Sequence, residues 1–211
     1  MEKKKFIVTV NREYGTGGKT IAHIIGESLG VKVYDKTILD HLAEEYNMTD
    51  EEMEQLKAKK PHWWDDFTNF YRQFNSMNRK GAEETKHVTS LSIYHAESRI
   101  MRRLAEQESC IFVGRSAFHI FKDDPCAFKI LFIANDEHRV NRIMEKYGVS
   151  RFEALKLMSE TDEARENYTK IFARTSRYDA RHYDLTYNVS GFTIDKIAAD
   201  LTELIKRRFQ L

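Results

Sequence analysis

The chain holds only two prolines and two cysteines in 211 residues, and its formal net charge at pH 7 is +1. Each scarcity excludes something. Cys110 and Cys126 lie in or beside apolar, strand-like runs, so neither a disulfide framework nor a cysteine-rich metal knuckle is available. They read as packing residues of a reducing compartment. Pro61 and Pro125 leave no proline-rich linker between domains. A near-neutral charge supplies no global field toward nucleic acid or a membrane surface, so any anion site must be local. The opening "MEKKKFIVTVN" is basic, but its apolar stretch is too short for a signal peptide or a membrane span. "NVS" at Asn188 is a glycosylation sequon that carries little weight without a secretion signal. Eight histidines are scattered without His-x-x-x-His spacing or carboxylate pairing, which argues against a histidine-held metal. The expectation is a soluble, cytoplasmic protein with no nucleic-acid or membrane partner.

What is present fits one globular domain. Hydrophobic residues make up 41% and charged residues 32% of the chain, enough to bury a core and too apolar for disorder. Five β-branched or aromatic runs read as strands: "FIVTV" (6–10), "VKVYD" (31–35), "CIFVG" (110–114), "FKILFIA" (128–134) and "DLTYNV" (184–189). The first, third and fourth are almost continuously apolar, as in parallel strands covered on both faces, and the other two belong nearer an edge. Helical patterns fill the gaps. Ile21, Ile24, Ile25 and Leu29 recur at helical spacing ahead of Gly30, a C-terminal stop. Thr49 with Glu52, and Ser150 with Glu153, have the spacing of capping boxes. Ile194, Ile197, Ala198, Leu201, Leu204 and Ile205 form the stripe of a closing helix with basic residues at its end. Alternating strands and helices predict a doubly wound α/β domain over 1–211. The second and third strands stand too far apart for a simple crossover, so a helical insertion is expected at about 40–100. Within it "HWWDDFTNFYRQF" could stack a base, but packing or a homodimer contact is favoured for the aromatic segment 61–75.

The chemistry concentrates in "NREYGTGGKT", directly after the first strand. A strand, a glycine-rich turn and a helix start bring backbone amides and a helix dipole to one point, which suits phosphate. Gly15, Thr16, Gly17 and Gly18 form the turn, Lys19 is placed for the β- and γ-phosphates, and Thr20 for magnesium. The usual pattern G-x-x-x-x-G-K-[ST] puts Glu13 where its first glycine belongs.

Several segments together resemble the cytidylate kinase-like family. These are "NREYGTGGKTIAHIIGESLGVKVYDKTIL", the strand ending in Gly114-Arg115, "TDEAREN" and the closing "YDLTYNVSGFTIDKIAADL". The family commonly carries Gln or Glu at the position of Glu13. The resemblance implies a P-loop kinase fold: a five-stranded parallel sheet flanked by helices, with an acceptor-binding insertion and a lid at about 150–182. It implies ATP and Mg²⁺ as cofactors and phosphoryl transfer to a nucleoside monophosphate, CMP or dCMP. The alternatives are a P-loop kinase for another small acceptor, or a nucleotide-binding regulatory module without efficient transfer. By the same resemblance Asp35 and Lys36 face the acceptor, although Asp35 could equally cap a helix. Arg115 would hold the acceptor phosphate, or else form a rim salt bridge. Arg139 and Arg142, one helical turn apart, resemble the residues opening the lid. Arg165 is the lid cation expected on the transferring phosphoryl, with Lys19 as the loop's catalytic cation. Two departures stand out. Ser116 follows Gly114-Arg115 where cytidylate kinases have Asp, and "FARTSRYDARHYD" replaces the usual lid tip.

Overall fold

Three consecutive apolar strands stand at the centre of one parallel sheet. A computed structural model describes residues 5–35 and 90–211, and there the strands are β1 (Ile7–Arg12), β2 (Lys32–Tyr34), β3 (Cys110–Val113), β4 (Ala127–Ile133) and β5 (Leu185–Asn188). Their order is β2-β3-β1-β4-β5, all parallel. The near-continuous apolar runs are therefore the three inner strands, buried on both faces, and the mixed runs are the edges. β5 shows the edge pattern directly, with alternating half-buried and exposed residues.

The helices are α1 (Gly18–Leu29), α2 (Ser90–Gln107), a short α3 (Ala117–Ile120), α4 (Asp136–Tyr147), α5 (Arg151–Ala173) and α6 (Ile194–Phe209), with a 3₁₀ turn at Ala180–His182. On one side of the sheet α1 and α6 pack together, joining Ile21, Ile25, Ile197, Leu201 and Ile205 to Val8, Val10, Ile130 and Phe132. On the other side Ile100, Met101 and Leu104 of α2 meet Phe112, Ile120 and Phe121. Burying a Leu, Ile or Phe in such layers stabilises by about 1.5–3 kcal/mol each.

Helix ends follow local chemistry. Gly30 takes the left-handed conformation that stops α1. Ser150 and Glu153 form the reciprocal capping box that starts α5. Asn135 caps α4 through the His138 amide, and Lys206, Arg207 and Arg208 close α6. Cys110 is buried and its thiol is pushed up to about 12 by desolvation. The Thr49–Glu52 capping pattern, Lys36 and the aromatic segment 61–75 lie outside the described residues. No helix among the described residues is long and apolar enough to cross a membrane.

Candidate active site

The C-terminal ends of β1, β2 and β3 open onto the turn between β1 and α1. Gly15 and Gly17 adopt φ of +89° and +76°, where a side chain is strained. Space forbids one as well: a Cβ on Gly15 would lie 2.8 Å from the Arg139 carbonyl oxygen, and one on Gly17 would lie 2.9 Å from the Arg142 guanidinium. The turn thus curls tightly against α4. Thr16, buried, braces it by donating to the Glu13 carbonyl (2.9 Å) and accepting from the Gly18 amide (3.4 Å). The first helical hydrogen bond is Ile21 N–H to Gly17 carbonyl. Among the described residues the amides of Gly15, Thr16, Gly17, Lys19 and Thr20 have no partner, which is the donor set an oxyanion needs at a helix start.

Glu13 explains its own presence. Its amide donates to the Phe132 carbonyl (3.0 Å), and its Oε2 accepts from the Ala134 amide (3.0 Å). Its Oε1 lies 3.6 Å from Arg139. The carboxylate therefore ties the loop's entry to the end of β4 and offsets a buried arginine.

Behind the loop stands Asp162 of α5. It accepts from the Tyr14 amide (2.9 Å) and pairs with Arg139, with Arg177 (3.4 Å) and, more loosely, with Arg165 (3.9 Å). Arg139 also donates to the Tyr14 carbonyl (2.7 Å), so it is committed to the loop's rear. Arg165 of α5 and Arg177 just beyond it converge on the Arg12 carbonyl, Arg165 at 3.2 Å. Arg177 is fully buried. Tyr183 holds it in place by donating to its carbonyl (2.8 Å) while accepting from Asn11 (2.6 Å). Burial, reinforced by Arg12 and Arg177, holds the Arg165 guanidinium well below the usual arginine range. Burial, with Arg177 and Arg115 nearby, likewise lowers Arg12 to about 10, against the opposing pull of Asp35. Among the described residues cations are crowded here beyond what the local carboxylates offset.

The expected residues separate by place. Lys19, more than half exposed, pairs with Asp35 just past β2, so the glycine loop and the end of that strand are joined directly. His23 stands 3.9 Å from the same carboxylate. Arg115 follows β3 and pairs with the buried Glu97 of α2 (3.1 Å), whose other oxygen accepts from Tyr168 (2.9 Å). Gly114, Arg115 and Ser116 all take positive φ, two of them non-glycine. Such strain is retained where the chain must aim a side chain. Arg142 stands over Gly17 with Ile194, away from Arg139 although both lie on α4. Thr20 is exposed in the first turn of α1. A separate cavity of about 760 Å³ lies between α2 and the α3–β4 turn, lined by Arg99, Arg102, His119 and Lys122, and no loop residue borders it.

Sequence reasoning passed over Arg12, Glu97, Asp162 and Tyr183. Asp162 had a usable signal, three residues before Arg165 on one helix face. The others depend on distant contacts, among them Glu97 with Tyr168, 71 residues apart, and Tyr183 with Asn11, 172 apart. As to magnesium, no cluster of three or more His, Cys, Asp or Glu exists among the described residues. A site built from the Thr20 hydroxyl and substrate phosphates fits that composition, because magnesium is commonly held that way.

The sequence profile of the cytidylate kinase-like family matches residues 7–191. Among curated proteins none matches. Among solved structures, an uncharacterized protein from Eubacterium ventriosum ATCC 27560 is similar at a TM-score of 0.70 and 23% identity, covering 97% of this chain and 99% of its own. A gluconokinase from Sinorhizobium meliloti 1021 is similar at 0.53 and 11%, covering 98% and 96%. A shikimate kinase from Bacteroides thetaiotaomicron is similar at 0.51 and 12%, covering 95% and 98%. At these identities the structural likeness establishes the fold, an α/β P-loop kinase fold.

Proposed function

Because the chain belongs to the cytidylate kinase-like family, we propose that it transfers the γ-phosphoryl group of ATP to a small anionic acceptor, a nucleoside monophosphate such as CMP or dCMP. The observation that carries this reading is the cation crowd at the strand ends. Lys19, Arg12, Arg115, Arg165 and Arg177 gather beside a glycine loop whose amides are open. Donor and acceptor phosphates together bring several negative charges, and phosphoryl transfer relies on positioned cations more than on a covalent residue.

The open amides and the α1 dipole hold the donor phosphates. Lys19 reaches them on leaving Asp35, and Thr20 would hold magnesium. Bound magnesium neutralises charge on the phosphates. Arg115, braced by Glu97, meets the acceptor phosphate, and Arg165 covers the transferring group from the lid. An acceptor phosphate oxygen attacks the γ-phosphorus in line, the bond to the β-phosphate bridging oxygen breaks, and ADP departs. With a phosphate acceptor no proton need be removed.

A hydroxyl acceptor is the second reading. Asp35, held beside the loop by Lys19, is the carboxylate that could take the hydroxyl proton. A coupled ADP-release assay across nucleoside monophosphates, shikimate and gluconate separates the readings. Turnover with CMP or dCMP supports the first, and turnover only with a hydroxyl acceptor supports the second. ATP binding without turnover on any acceptor refutes transfer.

A further inference from the structure

Arg12 is the last residue of β1, and two glycines clear the way for its side chain. A Cβ on Gly18 would lie 2.9 Å from the Arg12 Cβ and 2.9 Å from Phe132 Cδ2. Position 18 therefore cannot send a side chain back across the loop, because Arg12 already fills that space. Farther along, a Cβ on Gly114 would collide with the Arg12 Nη1. The side chain thus runs from the loop's entry, past the start of α1, to the end of β3. That path lies between the glycine turn and the acceptor-side residues Asp35 and Arg115. Its guanidinium makes no hydrogen bond and no ion pair among the described residues, although Arg115, Arg139, Arg165 and Arg177 all have partners. The charged groups that face it are Arg177, Arg115 and Arg165, which repel it, and Asp35 and Asp162, which attract it from beyond ion-pair distance. A half-buried cation without a partner is costly unless an anion completes it.

We infer that Arg12 supplies the fixed guanidinium on the transferring phosphoryl group, occupying the space across the loop that a residue at position 18 would otherwise use. This rests on the proposed phosphoryl transfer. Charge in that reaction spreads over the equatorial phosphoryl oxygens, and a planar fork already in position stabilises it without reorganisation. Lys19 lies outside this space, exposed and paired with Asp35. The Arg12 carbonyl, which receives Arg165 and Arg177, is untouched by a side-chain substitution.

The test compares wild type with Arg12→Gln and Arg12→Lys. ADP·Mg²⁺ affinity is measured by calorimetry with and without aluminium fluoride, a planar mimic of the transferring group. In the wild type fluoroaluminate should tighten ADP binding at least tenfold. Arg12→Gln should lose that increment while ADP alone changes less than threefold, and Arg12→Lys should keep only part of it. The melting temperature of Arg12→Gln should stay level or rise, since a cation leaves a crowd of cations; a purely structural role would lower it. An increment equal in all three proteins, or absent from the wild type, overturns the inference, as does an equal loss in ADP affinity itself. The measurement needs no acceptor, so a negative acceptor screen would count against the proposed transfer and leave this comparison standing.

Discussion

Asp162→Asn should separate the scaffold role of the carboxylate from its charge. The substitution keeps an oxygen for the Tyr14 amide, so the loop retains that hydrogen bond. It removes the counter-charge from three guanidiniums whose side chains are 7%, 0% and 12% exposed: Arg139, Arg177 and Arg165. Breaking a buried ion pair by removing one partner costs about 3–5 kcal/mol, because the other charge remains buried. Glu13 still stands 3.6 Å from Arg139 and offsets part of its charge, which favours the lower end. For a chain of this size each kcal/mol lowers Tm by about 2–4 °C. The expected fall is therefore roughly 6–12 °C for about 3 kcal/mol. Differential scanning calorimetry of both proteins at pH 7 reads it. The deficit should shrink with 50 mM sulfate or with ATP present, since an anion takes over part of the lost charge. A drop below about 2 °C, or one that anions leave unchanged, would refute the view that Asp162 is the counter-ion of this cluster.

Other substitutions reach different parts of the site. Glu13→Gly restores the usual first glycine of the pattern, yet it should lower Tm by several degrees and leave ATP affinity no better, because the Ala134 amide and Arg139 lose an acceptor. Gly17→Ala places a Cβ at positive φ against Arg142 and Ile194, so binding of a non-hydrolysable ATP analogue should weaken at least tenfold; unchanged affinity would contradict the tight turn. Lys19→Ala should abolish most ADP release in the coupled assay with Tm nearly unchanged, given the exposure of the side chain. His119 is held below its ordinary value by burial, then by Lys122 and His182. Its folded pKa is the lower one, so its contribution is fully present above about pH 6.5 and is lost as pH falls through the folded value. His119→Gln should accordingly show a smaller drop in Tm between pH 7 and pH 5 than the wild type.

The sheet was legible because its signal is local. Continuous apolar runs mark β1, β3 and β4 as inner strands, and mixed runs mark β2 and β5 as edges, without any long-range information. The capping box at Ser150 and the stop at Gly30 are local in the same way. The tight glycine turn between β1 and α1 was legible for the same reason. What sequence could not disclose is which arginine serves which purpose. Arg139 and Arg142 look equivalent as neighbours on one helix face, yet one is buried against Asp162 and the other stands over Gly17. Arg115 looked like a phosphate ligand or a rim salt bridge; its partner, Glu97, is buried in α2, 18 residues away. Arg12 stood within the segment that carries the family resemblance but showed no role, because its space is defined by the absence of side chains at Gly18 and Gly114.

Charge balance gives the division among these arginines a physical basis. Behind the loop, Arg139 has Asp162 and Glu13 within reach, and its duties are to the Tyr14 carbonyl and the turn. A glycine at position 13 would leave that buried guanidinium with a single nearby buried carboxylate, shared with Arg165 and Arg177. The acid at the loop's first position is therefore the counter-ion that lets an arginine sit under the glycine turn. Ahead of the loop the balance reverses: among the described residues the Arg12 guanidinium has no partner, and Arg165 reaches its nearest carboxylate at 3.9 Å. Cations behind the turn are neutralised by protein and hold its shape, whereas in front Arg12 and Arg165 are undercompensated among the described residues. A transferable phosphoryl group is the ligand whose charge that front face would complete.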